Sequence, residues 1–111
     1  MSQRIVLTTT ASVPNREIKE VVDIVSAEVA VGMNIFKDMF SAVRDFVGGR
    51  AGAIQDTLRD VRGQALEELR QEASRVGADA VVGVDLDYSE FSGGGRYMLF
   101  IVANGTAVRL K

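Results

Sequence analysis

The chain has 111 residues and a formal net charge of -2, and it contains neither cysteine nor histidine. The length predicts one domain, and an apolar fraction of 47% is enough for a hydrophobic core. The small net charge argues against nucleic acid and anionic membranes as partners, and the missing thiol and imidazole groups exclude disulfides, thiol catalysis and the commonest transition-metal ligands.

The N-terminal segment does not fit a signal peptide, because residues 1–15 hold one arginine and only a short apolar run. No stretch approaches the roughly twenty apolar residues that a membrane-spanning helix needs. We therefore expect a soluble, cytoplasmic protein.

Two strands are predicted before the first helix. Residues 5–9 form a short β-branched run, which ends at turn-prone residues 12–15 around Pro14. Residues 18–31 predict a long strand with apolar side chains on both faces, one face with Val21, Val25, Ala27, Val29 and Val31 and the other with Val22, Ile24 and Ala30. A strand of this kind is expected to be covered on both sides. Since a small domain offers one helical layer, we expect another subunit to supply the second cover.

A shorter helix is predicted to begin near Asn34, which is a natural N-cap residue. Its apolar face is broad and contains Ile35, Phe36, Met39, Phe40, Val43, Phe46 and Val47. The polar face carries both acidic and basic residues, so it does not have the basic character of a membrane-surface helix. We expect the four large side chains Phe36, Met39, Phe40 and Phe46 to form an oligomer interface.

The longer helix is predicted to begin near Ala51. Its apolar residues recur every three or four positions and share one face: Ile54, Leu58, Val61, Ala65, Leu69, Ala73 and Val76. Gly77 is expected to end the helix, because a residue without a Cβ adopts the left-handed cap conformation most easily.

After Gly77 the pattern changes to the alternation of a strand. Ala80, Val82, Val84, Leu86 and Tyr88 are predicted to point one way, and Val81, Gly83, Asp85, Asp87 and Ser89 the other. Residues 89–96, which contain Gly93-Gly94-Gly95, predict a flexible hairpin loop, and residues 97–103 predict the strand that follows it. Asn104-Gly105 suits a tight turn or a bulge, and the alternation beyond it favours a bulge in one long, bent strand.

The predicted fold is therefore α+β, with the order β-β-α-α-β-β and an antiparallel sheet that carries two helices on one face. One domain is expected to span residues 1–111.

Two groups of residues are candidate binding sites. Gly48, Gly49 and Arg50 suit a small anion, because free N–H groups at a helix start and a guanidinium attract negative charge. The alternative is a helix-ending glycine pair with Arg50 paired to Asp45 or Asp56. Asp85, Asp87 and Glu90 suit a hard divalent metal such as magnesium or calcium, and the alternative is a set of solvated strand carboxylates. No cofactor is required by either candidate.

No catalytic constellation is recognisable. A Ser-His, Cys-His or phosphate-binding loop pattern is missing from the sequence. Glu67 and Glu68 are adjacent on a helix and point in different directions, so they do not form an acid/base pair. We therefore expect a protein that is not an enzyme.

Three blocks resemble the YbjQ-like family, which is uncharacterised and described as a "putative heavy-metal-binding domain". The blocks are GMNIFKD from Gly32, RDFVGGR from Arg44 and GADAVVGVD from Gly77. The resemblance implies a small YbjQ-like, dodecin-subunit-like domain that assembles into a ring, typically a homopentamer with short strands linking neighbours. The family usually has serine, tyrosine and glutamate after the second block. This chain has Ala51, Ile54 and Gln55, so any activity of that block is expected to be lost or changed.

Two functions remain open. The first is a homo-oligomeric, non-enzymatic binding protein that takes a metal or a small anion at subunit junctions or in the ring lumen. The second is a structural assembly protein, or a docking platform for another protein, without a small-molecule ligand.

Overall fold

A computed structural model describes residues 5–31, 49–93 and 96–111. In these residues the elements are β1 (Val6–Leu7), β2 (Ile18–Val31), α1 (Gly49–Arg75), β3 (Ala80–Gly93) and β4 (Arg96–Leu110). The strands form one four-stranded sheet in the order β1-β3-β4-β2. The predicted α+β class is confirmed. The predicted shorter helix, with Phe36, Met39, Phe40 and Phe46, lies outside the described residues.

The sheet is mixed, and the prediction of an antiparallel sheet is wrong at its first strand. β4 pairs antiparallel with both β2 and β3, whereas β1 pairs parallel with β3. The reason is that β1 runs in the same direction as β2 and β3, so its position beside β3 rather than beside β4 makes this pair parallel. Within the described residues, β4 alone runs against the other strands.

The apolar face of α1 packs on the sheet as its spacing predicts. Val61 is buried, and Ala65, Leu69 and Ala73 are completely inaccessible to solvent. Leu58 and Val76 pack at the two ends of this core. Burial of a continuous stripe of this kind supplies most of the stability of a helix in a protein.

Gly77 ends α1 with the predicted left-handed conformation, at a φ of 77°. The Gly77 N–H donates to the Ser74 carbonyl, and the Ala78 N–H donates to the Ala73 carbonyl, both at 3.0 Å. These two bonds form a Schellman cap, which satisfies carbonyl groups that the helix leaves without a partner.

None of the helical segments described combines the length and apolar character needed to cross a bilayer.

β2 spans the predicted residues, and its inner face is buried under α1 at Val25, Ala27, Val29 and Val31. At its start the prediction is wrong: Val21 is 66% exposed, whereas Val22 packs against the core. The cause is a shift in pairing register with β4 between Val21 and Asp23, which reverses the direction of the side chains. Ile24 and Ala30 are exposed on the opposite face, as the alternation indicates.

The structure has a β-bulge in β3. The sequence predicted the bulge at Asn104-Gly105, which lies on the facing strand, β4. Val82 pairs with Thr106 and Asp85 pairs with Asn104, so Gly83 and Val84 together face Gly105. Gly83 adopts a φ of 60°, which suits a glycine. β4 is one continuous strand, as predicted, but the extra residue belongs to its partner.

Because of the bulge, the residues of β3 that were predicted to share one face lie on opposite sides of the sheet. Before it, Ala80 and Val82 join a small cluster with Val108 and Leu110, covered by Val13 and Ile18. After it, Val84 and Leu86 pack in the main core under α1. The prediction that these residues share one face is therefore wrong, because one inserted residue shifts the period-two alternation by one position.

Gly105→Ala is expected to lower the free energy of unfolding by about 1–3 kcal/mol, the usual effect of overpacking. A Cβ at this position would lie 2.6 Å from Val81 Cγ1 and 3.1 Å from the Val82 carbonyl oxygen. Urea unfolding measures the change.

Gly63→Ala on α1 is the matched control, because a Cβ there meets nothing within 4 Å. It is expected to raise stability by about 0.5–1 kcal/mol, since alanine loses less entropy in a helix. Equal stability of Gly105→Ala and the unchanged protein would contradict the position of the bulge.

Candidate functional site

One face of the sheet carries no helix among the residues that the structure describes, and we call it the open face. Cross-strand pairing aligns its side chains in rows, since directly paired residues share a face. One row is Ser26, Asn104 and Asp85, and the next is Glu28, Val102 and Asp87. The side chains from β2 and β3 in these rows are exposed, and those from the central strand β4 are half-buried.

Asp85 and Asp87 are neighbouring acids on the open face. A hydrogen bond between the two carboxyl groups and their electrostatic repulsion raise the pKa of Asp87 above its ordinary value of 3.8. Alternate residues of a strand lie about 7 Å apart along the same face, so two short side chains can meet. A positive ion near the pair would relieve this repulsion.

Glu90, the third member of the predicted metal site, lies on the other side of β3. It pairs with Leu99, whose side chain belongs to the core under α1. Glu28 does share the open face with Asp87, but β4 separates them by two strand spacings, or about 10 Å. In the described parts of the chain, no three acidic side chains converge to hold a metal ion.

The donor atoms decide which metals the chain could bind. The sequence has no cysteine and no histidine, so thiolate and imidazole ligands do not exist anywhere in the chain. Zinc, copper and other soft or borderline metals depend mainly on these ligands. The carboxylates of the open face instead suit magnesium or calcium, which prefer oxygen.

The predicted anion site lies at the start of α1. The helix begins at Gly49, before the predicted Ala51, so Gly49 and Arg50 form its first residues. Their main chain is described, and Gly48 lies outside the described residues. Asp56, one proposed partner of Arg50, lies 3.3 Å from Arg59 in an exposed ion pair. The first turn contains no acidic residue, so no carboxylate of that turn competes with an anion.

A polar groove that is lined by residues of both β2 and α1 was not predicted. It has a volume of about 330 Å³ and is lined by Ser26, Ala27, Glu28, Glu68, Gln71, Glu72 and Arg75. Arg75 and Glu72 form an ion pair at 2.9 Å inside this lining. The sequence feature that could have indicated this groove is the helical spacing of Glu68, Glu72 and Arg75, which places them on one side of α1. Only the packing of α1 shows that this side flanks β2.

A family model described as "Putative heavy-metal-binding" matches residues 5–111. The chain is similar to a UPF0145 protein of Pasteurella multocida and to one of Bacillus cereus. Each is 44% identical over 105 residues, which is 95% of this chain and 98% or 99% of the relative.

The chain has the same fold as a protein of unknown function from Pediococcus pentosaceus, which belongs to the DUF74 family and whose crystal structure is known. It has a TM-score of 0.66 and 13% identity, with 96% of this chain and 98% of the other chain covered. At this identity the likeness shows the fold alone.

Asp85→Asn is expected to lower the pKa of Asp87 toward its ordinary value, because the substitution replaces the charged hydrogen-bond acceptor with a neutral amide and removes its electrostatic repulsion. A carboxyl with a raised pKa stabilises the folded state fully below its ordinary value of 3.8, and this contribution is lost as the pH rises through the raised value. NMR titration of the Asp87 carboxyl measures the shift. Asp60→Asn on α1 is the control, and an equal effect of both substitutions would contradict the coupling.

Proposed function

This chain belongs to the YbjQ-like family, and from this premise we propose that it is a non-enzymatic binding protein that works as a homo-oligomeric ring. Five copies are expected from the family resemblance. The ring would take a small ion at its subunit junctions or in its lumen.

The observation that carries this proposal is the unpaired and apolar outer side of β2. In the described part of the chain no strand pairs with this edge, and Val21 and Ile24 are 66% and 77% exposed beside it. A long exposed edge with apolar side chains is a site of association with another chain.

The dimensions of the subunit support the same conclusion. The Cα radius of gyration is 17.2 Å, where about 13 Å is expected of a compact chain of this length. An elongated subunit exposes more surface than a compact one, and a neighbouring copy can cover part of it. The rotational symmetry of a ring gives every subunit the same neighbours.

The ion is proposed to be a hard divalent cation at Asp85 and Asp87. Their mutual repulsion favours positive charge, and their oxygens are ligands that magnesium and calcium accept. A ring repeats this pair around its axis, so carboxylates from several copies would act on one ion. The residues do not fit a thiophilic heavy metal. A small anion at Gly48, Gly49 and Arg50 is the other ligand class in this proposal.

A structural assembly protein or docking platform, without a small ligand, is the second candidate function. The observation that favours it is the absence, in the residues described, of three converging acidic side chains. In this case the ring would present its surfaces to another protein.

Ile24→Lys is expected to weaken self-association by about tenfold to a hundredfold. Burial of an isoleucine side chain contributes about 1.5–3 kcal/mol, which corresponds to that change in affinity. Sedimentation velocity over a dilution series measures it. Asp60→Lys, which adds the same side chain to the exposed surface of α1, is the control. Sedimentation of the unchanged protein as a single subunit at all concentrations would contradict the ring.

Magnesium or calcium at ten times its dissociation constant is expected to stabilise the protein by about 1.4 kcal/mol. The double variant Asp85→Asn/Asp87→Asn should lose this effect, and zinc or cadmium should bind no more tightly. Thermal unfolding with each metal and with phosphate, followed by calorimetry, provides the measurement. A flat response to all of these ions would favour the docking platform over the binding protein.

A further inference from the structure

We draw no further inference here: the strongest candidate, the polar groove lined by residues of both β2 and α1, carries none, because it is a cluster of glutamate side chains, one of them already paired with Arg75, and no second observation among the described residues points to a ligand.

Discussion

The packing of α1 against β2 and β4 is the interaction on which the rest of the structure depends. Ala65, Leu69 and Ala73 bring the helix close to the sheet, because two of these three side chains are small and all are completely buried. A single helix covers part of one face. In the described residues it leaves Tyr88 of β3, the part of the open face around Asp85 and Asp87, and the outer edge of β2 exposed to solvent. These uncovered surfaces are where we propose that the protein binds and assembles.

The bulge at Gly83 and Val84 determines which face carries the acidic pair. Val81, before the bulge, points into the core under α1. Without the extra residue, Asp85 and Asp87 would continue on that same side and would be directed toward the apolar core, where unpaired charge is costly. Gly105 permits the bulge because it has no side chain to collide with Val81. Two glycines on facing strands therefore place the candidate ion-binding residues in solvent.

The family description and the chemistry of this chain point to different metals. "Heavy-metal-binding" suggests soft ligands such as thiolates. Apart from the positively charged lysine and arginine side chains, this sequence provides only oxygen and thioether donors. The hydrogen bond and the repulsion between the two carboxyl groups raise the Asp87 pKa, and this repulsion favours a nearby positive charge. In the ring that we propose, a pair that is weak in one subunit would become part of a larger set of ligands.

The sequence by itself determined the features that depend on neighbours along the chain. The spacing of Val61, Ala65 and Leu69 predicted the buried face of α1, and Gly77 predicted its cap. The bounds of β2 and the shared face of Asp85 and Asp87 were also predictable. Only the tertiary structure decided the parallel pairing of β1, the bulge in β3, the reversed directions of Val21 and Val22, and the placement of Glu90 away from the acidic pair. Helix periodicity and caps are local, whereas strand register depends on a partner distant in sequence, and one inserted residue exchanges the two faces of everything that follows.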